Sequence, residues 1–186
     1  MFQVRIHGRG GQGVVTAAEM LSIAAFEEGR HSQAIPSFGS ERMGAPVVAY
    51  VRIDDDPIEI NEPVLRPDLL IIQDPTLFHA VDVFSGLADE GYLLINTTRE
   101  LPELHIDAAL ERLPAQHVYT VAATELAMQH LGRPTPNTAL LGALTALFGI
   151  LQLDSVITAI NDKFTGEVAA SNIAVARAAH NAVHAA

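Results

Sequence analysis

The segment Gly8-Arg9-Gly10-Gly11-Gln12-Gly13 constrains the fold of this chain more than any other. An extended apolar run, Phe2 to Ile6, precedes it, and a segment with Val14, Ala17, Ala18, Leu21, Ala24 and Ala25 at helical spacing follows. A strand that turns through glycines directly into a helix belongs in an open α/β sheet, where the helix packs back over the strand. Glycines at that turn let the backbone approach an anion closely, and the unpaired N–H groups of the first helical turn point at it. Arg9 adds a positive charge. Further on, Pro36-Ser37-Phe38-Gly39-Ser40-Glu41-Arg42-Met43-Gly44 has the composition of a loop with hydrogen-bonding capacity. Following the next strand of an open sheet, it is expected to lie beside the first loop, and the two together read as an anion-binding site.

Strand and helix alternate along the chain. Strands are predicted at Phe2 to His7, His31 to Ile35, Pro46 to Ile53, Asp68 to Gln73, Tyr92 to Asn96 and His117 to Val121. Ile58 to Ile60, after the turn Asp54-Asp55-Asp56-Pro57, is expected to return as a hairpin partner. The run Leu69-Leu70-Ile71-Ile72 is that of a central strand covered on both faces. Helices are predicted over Gly13 to Glu28, from an Asp74 or Thr76 cap to Phe84, around Ile106 to Leu113, and over Thr124 to Leu131. The last third is mainly helical: Asn137 to Leu151, Ser155 to Asn161 and Ala169 to His184. The pattern predicts a three-layer α/β/α fold with a mostly parallel, mixed central sheet and a helical C-terminal third.

The 186 residues, 49% hydrophobic, suit one domain, 1–186, with no repeat, low-complexity block or linker. With 22 acids against 11 bases, the net charge of −11 disfavours nucleic acid and anionic membrane as partners, so an anion site has to be local. No cysteine is present, which removes disulfides, thiol catalysis and ligation of an ordinary iron–sulfur cluster by this chain. No signal-like segment opens the sequence, and the most apolar stretch, Thr138 to Leu153, is shorter than the roughly 20 residues of a membrane helix. A cytoplasmic location is the expectation, with Thr138 to Leu153 a buried core helix.

Gly8-x-Gly10-x-x-Gly13 also matches the dinucleotide fingerprint, in the right strand-to-helix context. That fingerprint wants an acid at the end of the second strand for a ribose hydroxyl, and here Ala34-Ile35-Pro36-Ser37 supplies none before Glu41. An NAD site, another phosphate-bearing ligand and a structural glycine turn all stand as readings of the loop alone. Arg42 by itself reads as a solvated side chain or a partner of Glu41. His180 and His184 have the only metal-like spacing, on a terminal helix expected to fray, and no metal is assigned to them. Ser37 and Ser40 lack a hydrolase elbow, and no nucleophile–base pair stands out, so no catalytic residue is assigned.

Taken together, Ile6-His7-Gly8-Arg9-Gly10-Gly11-Gln12-Gly13, Ser37-Phe38-Gly39-Ser40-Glu41-Arg42-Met43-Gly44-Ala45-Pro46 and, more weakly, Pro136-Asn137-Thr138-Ala139-Leu140-Leu141-Gly142-Ala143 resemble the gamma subunit of pyruvate:ferredoxin oxidoreductase and related 2-oxoacid:ferredoxin oxidoreductases. The resemblance runs over nearly the whole chain. It implies a multi-subunit oxidoreductase that converts a 2-oxoacid, coenzyme A and oxidised ferredoxin to acyl-CoA, CO2 and reduced ferredoxin. Pyruvate is the default substrate, with 2-oxoglutarate, 2-oxoisovalerate and indolepyruvate as alternatives. Thiamine diphosphate, Mg and the iron–sulfur clusters are implied in partner alpha and beta subunits, with a delta, ferredoxin-like chain as a further candidate. The gamma chain is implied to help form the coenzyme A site through Gly8, Arg9, Gly10, Gly11, Gln12, Gly13, Ser37, Ser40, Glu41 and Arg42. An independent NAD-binding oxidoreductase and a purely structural assembly subunit are the competing readings.

Overall fold

The computed structural model describes residues 1–36 and 43–184. Six strands form one sheet: β1 (Phe2–Arg9), β2 (His31–Pro36), β3 (Pro46–Asp54), β4 (Leu69–Ile72), β5 (Tyr92–Asn96) and β6 (Val118–Val121). Their order is β2-β3-β1-β4-β5-β6. β1, β4, β5 and β6 run parallel, and β3 runs antiparallel between β1 and β2. The predicted mixed α/β sheet is present. β3, however, separates β2 from β1, so the second loop reaches the first through the entry to β3, where Gly10 N donates to Ala45 O at 2.9 Å and Gly44 N to Gly10 O at 3.0 Å.

Side-chain alternation sends Val4, Ile6, Ala49, Val51, Ile53, Leu69, Ile71 and Leu94 to one face of the sheet. The helices α1 (Val14–Glu27), α4 (Asn137–Phe148), α5 (Leu153–Lys163) and α6 (Gly166–His184) contribute most of the core that covers this face, and α3 (Ala123–Leu131) adds Ala123. Residues 137–145 of α4 are all buried, but the helix ends at Phe148, where left-handed Gly149 caps it, so the apolar stretch expected to form one buried helix to Leu153 is split before α5. None of the helices is long and apolar enough to cross a membrane among the described residues. α4 and α6 cross at Gly142, where a Cβ would overlap the Ala176 carbonyl. Beside that crossing the buried Thr138 hydroxyl donates to Asn172 Oδ1 at 3.1 Å.

The opposite face is covered differently. Leu70, Ile72, Leu93 and Ile95 meet Leu77, Val83, Leu87, Leu104, Ile106 and Leu113, which come from 3-10 turns (Pro75–His79 and Leu101–Leu104), the single-turn α2 (Asp107–Leu110) and irregular chain. The helix expected from Asp74 to Phe84 stops at His79 because Arg5, buried on β1, takes the Val83 and Ser85 carbonyls through Nη2 at 2.9 and 2.5 Å. Those carbonyls follow a tertiary partner in place of a helical ladder. The helix expected around Ile106 to Leu113 contracts to α2, since Pro114 follows and another 3-10 turn, Ala115–His117, leads into β6. Ile58 to Ile60 forms no hairpin. The Arg52 guanidinium, 3% exposed, instead lies within hydrogen-bonding distance of the Ile60 and Pro63 carbonyls, at 3.4 Å each.

Candidate functional site

β1 and β4 are adjacent and parallel, yet their following connections cover opposite faces: α1 on the helical side, the Pro75–His79 turn on the other. Such a reversal opens a crevice beyond the carboxyl ends of the strands, the usual place for a ligand in an open α/β sheet. The glycine loop occupies it. Gly11 (φ 96°) and Gly13 (φ 72°) have left-handed backbone, which a side chain would strain. Gly8 lets β1 meet α1, since a Cβ there would lie 2.6 Å from Val14 Cγ2.

The N-terminus of α1 has Gly13 at its cap, no side-chain cap and no acid in its first turn. Among the described residues the positive end of the helix dipole is therefore left without a negative partner in its first turn, a fit for an anion. α4 begins in the same way, at Pro136 with no side-chain cap and no acid, and its first residue meets the loop: Asn137 Nδ2 donates to Gly13 O at 3.4 Å. A Cβ on Gly13 would overlap that amide. Two cavities flank the loop. One of about 430 Å³ is lined by Gly10, Gly11, Val15, Thr16 and Met43. The other, about 490 Å³, runs from Gly11 and Gly13 to Arg133, Asn137 and Ser171.

Arg9 and Gln12 are engaged within the protein. The Arg9 guanidinium pairs with Asp74 at 3.2 Å, donates to Thr76 Oγ1 at 2.7 Å and to the Gly44 carbonyl at 3.0 Å. Gln12 accepts from Arg9 N at 2.7 Å and donates to Asp74 at 2.9 Å. These residues form a polar wall that fixes the loop. Burial pushes the Asp74 carboxyl up, but hydrogen bonds from Thr76 and Gln12 and the Arg9 charge outweigh it and hold it below the ordinary value. Asp74 was legible in the sequence only as a cap, which it is, accepting from Thr76 N at 3.0 Å. Its hold on the loop comes from the β1–β4 pairing, a contact across 65 residues of chain with no local signature.

The structure brings Gly8, Arg9, Gly10, Gly11, Gln12 and Gly13 together with the Met43-Gly44-Ala45 end of the second loop. Ser37, Ser40, Glu41 and Arg42 lie outside the described residues. Asn137, quoted in the sequence only as part of the weaker late motif, is here a direct neighbour of Gly13. His180 hydrogen-bonds through Nδ1 with Thr145 Oγ1 at 2.9 Å. On β1 beneath the loop, His7 is buried. Burial, with the Arg5 charge adding to it, pushes its pKa from the ordinary 6.5 down to about 4, so the ring is neutral at pH 7.

Comparison with known proteins places these features in context. Residues 3–182 match the family model of pyruvate ferredoxin/flavodoxin oxidoreductase. The "pyruvate/ketoisovalerate oxidoreductases common subunit gamma" of Pyrococcus furiosus is 46% identical over 182 residues, spanning 97% of this chain and 96% of that one. The "pyruvate synthase subunit PorC" of Methanothermobacter marburgensis is 44% identical over 184 residues, 97% and 96% of the two chains. Among solved structures, pyruvate oxidoreductase subunit PORC from Thermotoga maritima superposes with a TM-score of 0.79 at 34% identity, covering 97% of this chain and 95% of that one.

Proposed function

The chain belongs to the pyruvate ferredoxin/flavodoxin oxidoreductase family, and from that premise we propose that it is the gamma-type subunit of a 2-oxoacid:ferredoxin oxidoreductase and contributes part of the coenzyme A site. The observation that carries the site is the uncapped, acid-free N-terminus of α1 behind Gly11 and Gly13, abutting the equally uncapped start of α4. Coenzyme A brings a diphosphate and a ribose phosphate, anions suited to helix-terminus amides and a guanidinium fork. In the overall reaction its thiol accepts the acyl group left when the 2-oxoacid loses CO2, and two electrons pass to ferredoxin. The chain's own task is binding and orientation. Loop amides from Gly10 to Gly13 meet phosphate, Arg42 with Ser37 and Ser40 supplies further donors, and Glu41 orients Arg42. Arg9, held by Asp74 and Thr76, shapes the loop and adds its charge nearby.

Thiamine diphosphate, Mg and the clusters reside in the alpha, beta and delta-type partners, in keeping with a gamma chain that has no cysteine. The whole chain acts as one cytoplasmic domain within that assembly. Pyruvate is the substrate of the complex. The Pyrococcus relative is named as common to pyruvate and ketoisovalerate enzymes, which favours a second reading in which the same gamma chain serves a branched-chain oxoacid enzyme as well.

The test is kinetic and uses the assembled enzyme, purified anaerobically with its partners. Arg42→Ala is expected to raise KM for coenzyme A by about 10- to 100-fold, the effect of losing one charge-assisted hydrogen bond of roughly 1.5–3 kcal/mol, while KM for the oxoacid stays near its original value. Equal effects on both substrates overturn the site. A chain that purifies without partners and binds NAD overturns the subunit reading.

A further inference from the structure

Arg9-Gly10-Gly11-Gln12 is a tight turn, closed by a hydrogen bond from Gln12 N to Arg9 O at 3.0 Å, with left-handed Gly11 at its third position. The Gln12 side chain braces the turn, since its Oε1 accepts from Arg9 N at 2.7 Å. Gly10 N is taken by Ala45 O, and Gly10 O by Gly44 N, which joins the turn to the entry of β3. The amides of Gly11 and Gly13 are left with no acceptor among the described residues. With the first turn of α1, these two are the donors the loop can offer to an anion, and the turn sets the direction in which they point.

Asp74 holds that turn from outside. It sits just past the end of β4, where the buried Gln73 donates its N–H to His7 O at 2.8 Å and Pro75 follows, so its place relative to β1 is fixed. Its carboxylate meets four donors. Oδ1 accepts from Thr76 N at 3.0 Å and Thr76 Oγ1 at 2.6 Å, and Oδ2 from Gln12 Nε2 at 2.9 Å and Arg9 Nε at 3.2 Å. Thr76 Oγ1 in turn accepts from Arg9 Nη2 at 2.7 Å, while Arg9 Nη1 donates to Gly44 O at 3.0 Å. Through Arg9 and Gln12, the turn, the start of β3 and the end of β4 are thus tied at one carboxylate. The Asp74 side chain is only 15% exposed, so water screens these contacts in part.

We propose that Asp74 is a positioning residue of the anion site: it aims the Gly11 and Gly13 amides by holding Gln12 and Arg9, and reaches the ligand only through them. The proposal rests on the coenzyme A reading for its ligand, narrows the loop donors to Gly11 and Gly13, and adds the residue that governs their affinity. Charge and geometry predict opposite signs for Asp74→Asn. As a charge, Asp74 opposes an anion, and removing it would tighten coenzyme A. As a brace, it cannot be replaced by asparagine, whose amide presents one oxygen and one NH2 and so loses either the Thr76 pair or the Gln12 and Arg9 pair of donors. Thr76→Val removes the Arg9 latch with no change of charge, and Thr76→Ser keeps the hydroxyl.

The assembled enzyme, purified anaerobically with its partners, is read by amide hydrogen exchange without coenzyme A and by KM for coenzyme A and for the oxoacid. Asp74→Asn and Thr76→Val are each expected to speed exchange at Gly10 and Gly44 about tenfold, while the buried α4 amides of Leu140, Leu141 and Leu144 keep their rates. Each is expected to raise KM for coenzyme A about tenfold with KM for the oxoacid near its original value, and Thr76→Ser to stay within about twofold of the unaltered enzyme in both readings. Unchanged exchange at Gly10 and Gly44 overturns the proposal whatever coenzyme A does. So does a lowered KM for coenzyme A in Asp74→Asn, faster exchange with neither KM changed, an equal rise in both KM values, or a Thr76→Ser as impaired as Thr76→Val. If Asp74→Asn does not assemble, Thr76→Val carries the test. A selective effect of the wall variants beside a flat Arg42→Ala refutes only the part given to Arg42 above. A selective Arg42→Ala beside wall variants with no effect keeps the coenzyme A site and removes Asp74 from it.

Discussion

The two faces of the sheet are built from different chemistry. On the helical face the core is aliphatic and small: alanines of α1, α4 and α6 bring backbones close, and the tightest point, Gly142 against Ala176, has no space for a methyl group. The other face mixes aliphatic residues over β4 and β5 with buried Arg5, His7 and Arg52 over β1 and β3, and short turns cover it. Packing fixes the first face, because close contact between helices tolerates little change in volume. Hydrogen bonds from arginine to main-chain carbonyls fix the second, which lets irregular chain lie over a sheet without a helical ladder. The difference shows how one sheet combines a rigid backing with a polar side whose loops meet at the strand ends.

The largest expected effect breaks the helical face. Gly142→Val puts two methyl groups into the Ala176 backbone and is expected to cost about 3 kcal/mol or more, read as a lowered midpoint of chemical denaturation with little change in slope. A loss under 1 kcal/mol would mean that α6 can slide on α4 and that this face is less rigid than its packing indicates.

Next is His7, which sharpens the contrast by pH. Unfolded, the ring takes a proton near pH 6.5; folded, it stays neutral down to about pH 4. Between those values the unfolded chain binds more protons, so stability is full above pH 6.5 and falls as pH drops toward 4, by up to about 3 kcal/mol. His7→Leu is expected to flatten that slope and leave stability at pH 7 little changed, since His7 Nε2 has no partner to lose. An unchanged slope would assign the acid sensitivity to other groups.

The smallest effect is at the wall. Asp74→Asn removes the charge that holds Arg9 and is expected to cost about 1 kcal/mol, the scale of a partly exposed ion pair. Because the Asp74 pKa is lowered on folding, the gap between the two proteins is expected to persist above pH 3.8 and to close as pH falls through the folded value. Denaturation curves at pH 7 and pH 3 check both the size and the sign.

The helical face was the more legible of the two from sequence. The period of α1, the apolar block of α4 and the continuous run Leu69 to Ile72 place those elements to within a few residues, since burial on one face or both imprints a repeat on the chain. The glycine loop was legible for a similar reason: a strand-to-helix turn that approaches its neighbours closely restricts residue type at Gly8 and Gly13. The polar face was not. Val83 and Ser85 fail to continue a helix because of Arg5, and Ile60 fails to form a strand because of Arg52, two partners distant or perpendicular to any local pattern. The same holds for the wall, where Asp74 meets Arg9 across the sheet, and for Gln73, which looks in sequence like the polar end of a strand.

The contact between Gly13 and Asn137 has a consequence for the order in which the protein is made. The loop leaves the ribosome early, yet one of its supports is 124 residues downstream and emerges only after all six strands. A nascent chain with its sheet already paired still lacks α4 against the glycine turn. The proposed anion site is therefore finished late in synthesis, when the helical third docks, and its ligand affinity at each length of a stalled chain would report on that final step.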